Sequence, residues 1–359
     1  MKSPVLTYVP GKGATEFFLA FSGYREADHF YHEEIAYTVA HGASLTGSPS
    51  LCFVKSHGIA KAMNSVIASL HSGTSAPMMA FTFEDESGSS SDHPFQSAAM
   101  LSGAGATVLP LRAGSLFSDF KAALNCFFQI KRPVFLSIKT GTLPDPTEIQ
   151  TFAGEALALL ASPPEAERLP RYQALLNPLL SPRFSAPLPR IPKCPDDLPP
   201  HLLSIAKAYE PAIAAIKPLE YSWITGDAGT SSLFGLPPHD FVNVCTHMGG
   251  AIPLAMGAVL AGKQGVLAVT GDFSFLSTGA LALAEAKHRG VSFDVLIFQN
   301  GVAAATGGQR VSPEMLESQI PDGVEVHRLN QDPALLFELL KNPSVSKTQP
   351  RVILYKVSI

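Results

Sequence analysis

Val266-Leu-Ala-Val-Thr-Gly271-Asp272-Phe273 is an apolar run closed by Gly-Asp, and 28 residues beyond Asp272 a second run ends Phe298-Gln299-Asn300-Gly301-Val302. A continuous apolar run without polar alternation is the pattern of a parallel strand covered on both faces. If two such strands are neighbours, their ends lie on one edge of a sheet, and Asp272 and Asn300 approach each other there. A carboxylate and an amide oxygen are hard ligands of the kind Mg2+ accepts beside phosphate oxygens. Taken singly, each dipeptide has a plainer use: Gly-Asp caps a helix, expected here from about Thr278, and Asn-Gly makes a turn. The pair, each member after a strand and at this spacing, is the more specific signal.

The same alternation of apolar strands and amphipathic helices runs outward along the chain. In the first half the expected strands are Leu51–Lys55, Met78–Phe83, Thr107–Leu111 and Val134–Ile138, with helices over His29–Ala43, Ile59–Leu70 and Ser118–Ile130. In the second half they are Ser222–Thr225, Val242–Cys245, Val266–Thr270, Val295–Gln299 and Val352–Tyr355. Between Pro163 and Pro200 stand 11 prolines in 38 residues, a density that permits neither helix nor inner strand. The expected architecture is therefore α/β: two domains, each a mostly parallel sheet with helices on both faces, joined by a Pro-rich linker. The boundaries fall at residues 1–155, 156–200 and 201–359. Two α/β domains of similar size suggest a ligand held between them.

Composition limits the function classes. Of 359 residues, 46% are hydrophobic and only 16% charged, against roughly 25% charged in an average soluble domain. So little charge implies much buried surface, including a subunit interface. A net charge of −4 gives no basic field, so nucleic acid is not an expected partner. Cys52, Cys126, Cys194 and Cys245 form no CxxC pair, and scattered thiols suit a reducing cytoplasm. The longest uncharged apolar segment, 249–262, is too short and too broken by Gly and Pro to span a bilayer. Gly11-Lys-Gly13 is half a dinucleotide fingerprint, no GxxxxGK[ST] occurs, and His29 with His32 has no third zinc ligand.

The Gly-Asp…Asn pair resembles the metal–diphosphate signature of the thiamine diphosphate (ThDP) enzymes, and its flanks extend the likeness. Thr225-Gly-Asp-Ala-Gly-Thr-Ser-Ser-Leu-Phe-Gly235 resembles the diphosphate loop of 2-oxo acid decarboxylases, and Thr246-His-Met248-Gly-Gly250 the segment beneath the thiazolium ring. Asn300-Gly-Val302 with Gly307-Gly308-Gln309 is similar to phosphonopyruvate and sulfopyruvate decarboxylases. The resemblance implies ThDP and Mg2+ as cofactors. It implies metal ligation by Asp272, Asn300 and the carbonyl of Val302. It further implies cofactor contacts from Gly229, Thr230, Ser231, Gly271, Phe273 and Ser274. Met248 would bend the cofactor, and the Thr246 carbonyl would take the amino group of its pyrimidine.

The first half is then the pyrimidine-binding domain and the second the diphosphate-binding domain. His32-Glu33-Glu34-Ile35-Ala36 resembles the segment that supplies the family's glutamate, with Glu33 in that position. Its implied role is a proton relay to the pyrimidine ring; the plainer alternative is a solvated carboxylate at a helix start, for which Glu34 is equally eligible. Lys55-Ser-His57-Gly58 ends a strand where the family places a substrate-side loop, so His57 is a second catalytic candidate, beside His93. Ser89-Ser-Ser91-Asp-His93 resembles a loop of indolepyruvate ferredoxin oxidoreductase. Lys55 and Arg310 could hold a substrate anion.

A pyrimidine domain followed directly by a diphosphate domain, without a middle domain, resembles the compact decarboxylases. The alpha subunit of indolepyruvate ferredoxin oxidoreductase, without its ferredoxin domain, is also similar. The implied function is non-oxidative decarboxylation or carboligation of a 2-oxo acid through a ylid and an enamine. The alternatives are the catalytic subunit of a 2-oxo acid:ferredoxin oxidoreductase and a non-catalytic ThDP-binding homologue. Glu33 speaks against the last, since a binding module needs no proton relay. The resemblance also implies a homodimer or homotetramer with active sites at the subunit interface, and a small-molecule 2-oxo acid as substrate.

Overall fold

Each half of the chain builds its own parallel sheet. The computed structural model describes residues 3–23, 29–72, 74, 76–161, 200–235, 239–342 and 348–358. The described residues up to 161 form one compact unit and those from 200 onward another. The first unit contains β1 (Val5–Tyr8), β2 (Ser50–Lys55), β3 (Met78–Glu84), β4 (Thr107–Pro110) and β5 (Val134–Lys139), in the order β1-β2-β3-β5-β4 with every pair parallel. The second contains β6 (Trp223–Gly226), β7 (Val244–Cys245), β8 (Val266–Gly271), β9 (Asp294–Gln299), the short ribbon β10 (Val302–Ala303) and β11 (Gln309–Arg310), then β12 (Glu325–Asn330) and β13 (Arg351–Lys356). Its main sheet runs β12-β13-β9-β8-β6-β7, again wholly parallel.

All nine expected strands form, within two residues at each end. Two were missed. β1 is only four residues long, and β12 lies at a sheet edge where its polar residues leave no continuous apolar run. Helix starts moved more. The helix expected from His29 begins at Glu33, because His32 is still extended (φ −137°, ψ 121°). The helix expected over Ile59–Leu70 is two, Ser56–Lys61 and Met63–Ser72, divided at Ala62. The helical run expected near Thr278 begins at Asp272, directly off the end of β8. The linker expected from residue 156 starts later. Helix Pro146–Leu160, capped by Asp145 accepting from the Thr147 and Glu148 amides, keeps Ala156 and Leu160 in the core. The Pro-rich stretch itself, with Cys194, lies outside the described residues. Among the described residues no helix is long and apolar enough to cross a membrane.

Strand alternation divides the first sheet between two cores. Leu51 and Phe53 of β2 face a cluster of phenylalanines, whereas Cys52 and Val54 face Tyr37, Ile59 and Val66. Phe81 of β3 is the centre of the aromatic side. Its ring lies 4.7 Å from Phe53, 5.8 Å from Phe21, 6.1 Å from Phe17, 6.2 Å from Phe120 and 6.5 Å from Phe152. Three helices and the neighbouring strand thus close on one side chain with no solvent exposure. Truncating it leaves a cavity that its neighbours, packed from both sequence-distant helices and the sheet, cannot all fill. Phe81→Ala is expected to cost about 3–5 kcal/mol in denaturant unfolding; a cost below about 1 kcal/mol would mean that this cluster does not anchor the unit.

Candidate functional site

In the second unit the sheet order β9-β8-β6 brings three strand ends to one edge. β8 and β9 pair with Gly271 opposite Phe298, so Asp272, one residue beyond, and Asn300, two residues beyond, lie at the same edge and line one cavity. Asp272 is 3% exposed. Its Oδ1 accepts from the Phe273 amide at 2.8 Å and its Oδ2 from the Gly301 amide at 2.7 Å. Burial pushes its pKa up, and these amide donors pull the other way. Asn300 Oδ1 accepts from the Val302 amide at 3.0 Å. One carboxylate, one side-chain amide and one turn of backbone therefore present hard oxygens together, a donor set that suits Mg2+ rather than a soft metal.

A cavity of about 280 Å3 opens at this edge. Gly229 and Met248 line it from the turns after β6 and β7, Gly271 to Ser274 from the end of β8, and Asn300 and Val302 from the turn after β9. The far wall is the apolar ribbon Ala303 to Thr306. Met248 is held in place through its neighbour Gly249, at φ +81°. A Cβ there would meet Ser274 O at 2.8 Å and the amides of Thr278 and Gly279 at 2.9 Å. Those atoms belong to a π-helical turn, Phe275–Gly279, and to the residue before it, where the turn is inserted between helical segments Asp272–Ser274 and Ala280–His288. Only glycine permits both the left-handed backbone and the contact.

Two expected cofactor residues, Ser231 and Thr246, do not line the cavity. Ser231 is buried and turned inward, its hydroxyl 3.1 Å from Asp227 Oδ1. Thr230 opens the 3-10 segment Thr230–Gly235. Thr246 is half-buried two residues before Met248, its Oγ1 without a hydrogen-bond partner. The residue missed is Asp227, which does line it. It is 1% exposed, and accepts from Thr270 Oγ1 at 2.5 Å, Ser231 Oγ at 3.1 Å and the Gly249 amide at 3.3 Å. One carboxyl thus ties the ends of β6 and β8 to the Met248 turn. Burial pushes its pKa up to about 7 against the pull of those donors. Its only sequence signal was its place directly after a strand, inside a loop whose glycines and hydroxyls drew the attention.

The first unit has a separate cavity of about 290 Å3, lined by Glu33, Lys55, His57, Gly58, Ser91 and His93 among others. Glu33 is the first residue of its helix, so its side chain projects from the end rather than into the bundle. Its Cγ lies against Gly58, where a Cβ would come within 2.7 Å, and Lys61 Nζ is 3.0 Å from its Oε2. Glu34, one position on, turns away and accepts from Ser65 Oγ at 3.3 Å. His57 and His93 are exposed on the rim, His57 edge-on to Phe95 at 5.0 Å. Lys55 donates to Ser90 O at 2.6 Å, Ser91 Oγ at 2.9 Å and Ser90 Oγ at 3.1 Å, so its ammonium latches the serine loop. Asp85 holds the other side of that loop. Burial raises its pKa, but the hydrogen bonds from Ser90, Ser91 and Ser89 outweigh it and keep the carboxyl below the usual range. Arg310 is exposed in β11 and lines neither cavity.

The second parallel α/β unit thus gathers carboxyl and amide oxygens and a glycine turn around a cavity at its strand ends. Residues 227–344 match the family described as thiamine pyrophosphate enzyme, C-terminal TPP binding domain. The fold is similar to that of the thiamine diphosphate-dependent 4-hydroxybenzoylformate decarboxylase of Rhodococcus jostii RHA1, at 14% identity and TM-score 0.60, over 99% of this chain and 96% of that one. It is also similar to the benzoylformate decarboxylase of Polynucleobacter necessarius, at 11% identity and TM-score 0.60, over the same shares of the two chains. No curated protein matches in sequence. The matched domain and the shared fold support a ThDP-dependent enzyme family, with the sequence match confined to residues 227–344.

Asp227 carries a pH signature. Folded, it keeps its proton to about pH 7; unfolded, it releases it near the ordinary 3.8. Folding therefore takes up a proton between those values, and the stability due to this group falls as pH rises through the window, by at most about 1.4 kcal/mol per unit. His247, 4% exposed, has its pKa lowered to about 4 by burial and acts in the opposite sense. Asp227→Asn removes only the first contribution. Thermal melts of the two proteins from pH 4.5 to 7.5 are expected to show the wild-type advantage shrinking steadily; a pH-independent difference would contradict the raised pKa.

Proposed function

We propose that the protein is a ThDP- and Mg2+-dependent enzyme that removes carbon dioxide from a 2-oxo acid without oxidation, or joins the resulting fragment to an acceptor. The observation that carries this is the meeting of Asp272, Asn300 and Val302 with Gly229 and Met248 around one cavity. Their donor chemistry fits Mg2+ beside diphosphate oxygens: the carboxylate balances the cation's charge, and the side-chain amide oxygen and turn carbonyl add neutral hard donors. The helical run from Asp272 also directs its N-terminal end to the same place, which favours anions.

When bound, ThDP supplies a nucleophilic carbon and a sink for the electron pair left by the departing carboxylate. Asp272, Asn300 and the Val302 carbonyl would hold the metal, and Gly229 with the amides after Gly271 the diphosphate. Met248 would support the ring system from below, and the Thr246 carbonyl would accept from the pyrimidine's amino group. Glu33 would hold and move a proton at its carboxyl oxygen, positioned by Gly58 and Lys61. His57, which lines the same cavity as Glu33, would exchange a proton with substrate. We further propose a homodimer or a dimer of dimers, supported by the low charge fraction and by Phe273 and Leu281, 44% and 52% exposed; a monomer in light scattering with ThDP present would count against it.

The decisive experiment is a panel of 2-oxo acids with ThDP and Mg2+ and no electron acceptor, scored for carbon dioxide and products. Turnover of at least one acid is expected; release that required an artificial acceptor would replace this function with an oxidoreductase subunit. In the same assay Glu33→Gln is expected to keep ThDP binding by calorimetry and lose about 10²–10⁴ in rate. Glu34→Gln, which can still accept from Ser65, should remain near wild type. The reverse pattern would assign the relay to the wrong carboxylate.

A further inference from the structure

Asn300 can serve a cation only if its amide presents oxygen, not nitrogen, to the cavity. The fold makes that choice. The Val302 amide lies 3.0 Å from one atom of the Asn300 side chain, and a backbone N–H only donates, so that atom is Oδ1. The other, Nδ2, donates to the Tyr209 hydroxyl at 2.5 Å. Tyr209 has no freedom to follow a moving partner. It is wholly buried on helix Pro200–Ile216, its ring stacked on Phe298 at 4.4 Å and 12°. Phe298 is two residues before Asn300 at the end of β9, so one strand supports both the ring and the amide it meets.

We propose that Tyr209 is the positioning residue of the metal site, its hydroxyl fixing the Asn300 amide so that Oδ1 keeps a lone pair for the cation. The proposal rests on Asp272, Asn300 and Val302 being the Mg2+ ligands. One Oδ1 lone pair is taken by the Val302 amide and the second remains. Without the hydroxyl, Nδ2 loses its buried acceptor, and a flipped amide would turn its positive end toward the metal. Partners one shell out from a metal typically govern 10–100-fold in metal affinity. Tyr209 touches no atom of the metal in this arrangement and acts only through Asn300.

The test uses the full chain with saturating ThDP, titrated with Mn2+ as the probe, free Mn2+ being read by electron paramagnetic resonance. Tyr209→Phe keeps the stacked ring and removes only the hydroxyl. Its Mn2+ affinity is expected to fall at least about tenfold, while the melting temperature of the cofactor-free protein stays within about 2 °C of wild type. Tyr355→Phe removes a hydroxyl from the same aromatic cluster, 5.9 Å ring to ring from Phe298, and should bind Mn2+ as wild type does. Asp272→Ala should abolish the site. Wild-type affinity in Tyr209→Phe, or an equal loss in Tyr355→Phe, would overturn the positioning role. No ThDP-dependent Mn2+ site in wild type, or one unaffected in Asp272→Ala, would instead bring down the metal assignment and this inference with it.

Discussion

The parallel pairing of β8 with β9, Gly271 opposite Phe298, is the constraint on which the second unit's site depends. Parallel strands end on one edge, so whatever follows them is gathered there without any long-range side-chain contact. A slip of one residue would exchange the faces of β9 and send Asn300 away from Asp272. That slip is resisted from both sides: Leu296 and Phe298 face one core, and Val295 and Ile297 are equally buried on the other. The site's geometry is therefore underwritten by apolar packing several residues back from it.

Gathering strand ends also concentrates polar groups where water is scarce, and the loops are built to satisfy them. Asp227 and Asp272 are both nearly inaccessible, yet each accepts from backbone amides, and among the described residues neither stands in an ion pair. Such carboxylates sit above their ordinary pKa because burial disfavours the charge. A cation at Asp272 would reverse that bias and stabilise the ionised form. The turn that carries Met248 is locked by backbone contact at Gly249, so the apolar side chain beside these oxygens is placed by a rigid element.

The first unit solves a different problem with a different material. Its sheet is clamped by phenylalanines contributed by three helices and two strands, which leaves the strand-end loops free of core duty. Glu33 gains its position from starting a helix and from the missing side chain of Gly58. Lys55 shows the limit of charge as a guide. A lysine at a strand end suggested an anion site, but its three short contacts go to serine oxygens of the neighbouring loop.

What the sequence determined by itself was most of the order of strands and helices, the two-unit division and the meeting of Asp272 and Asn300 at one sheet edge. Each depends on local signals: continuous apolar runs, proline density, and polar residues at fixed distances from strand ends. Helix starts at Glu33 and Asp272 were misplaced, since caps without a hydrogen-bonding side chain leave little trace. Asp227 and Tyr209 were not legible at all. Asp227 matters because residues 22 and 43 positions away donate to it, and Tyr209 because Asn300, 91 positions away, does. Hydrogen bonds between sequence-distant groups have no period and no local composition. They exist only once the sheet has brought the strand ends together, and so only the tertiary structure could decide them.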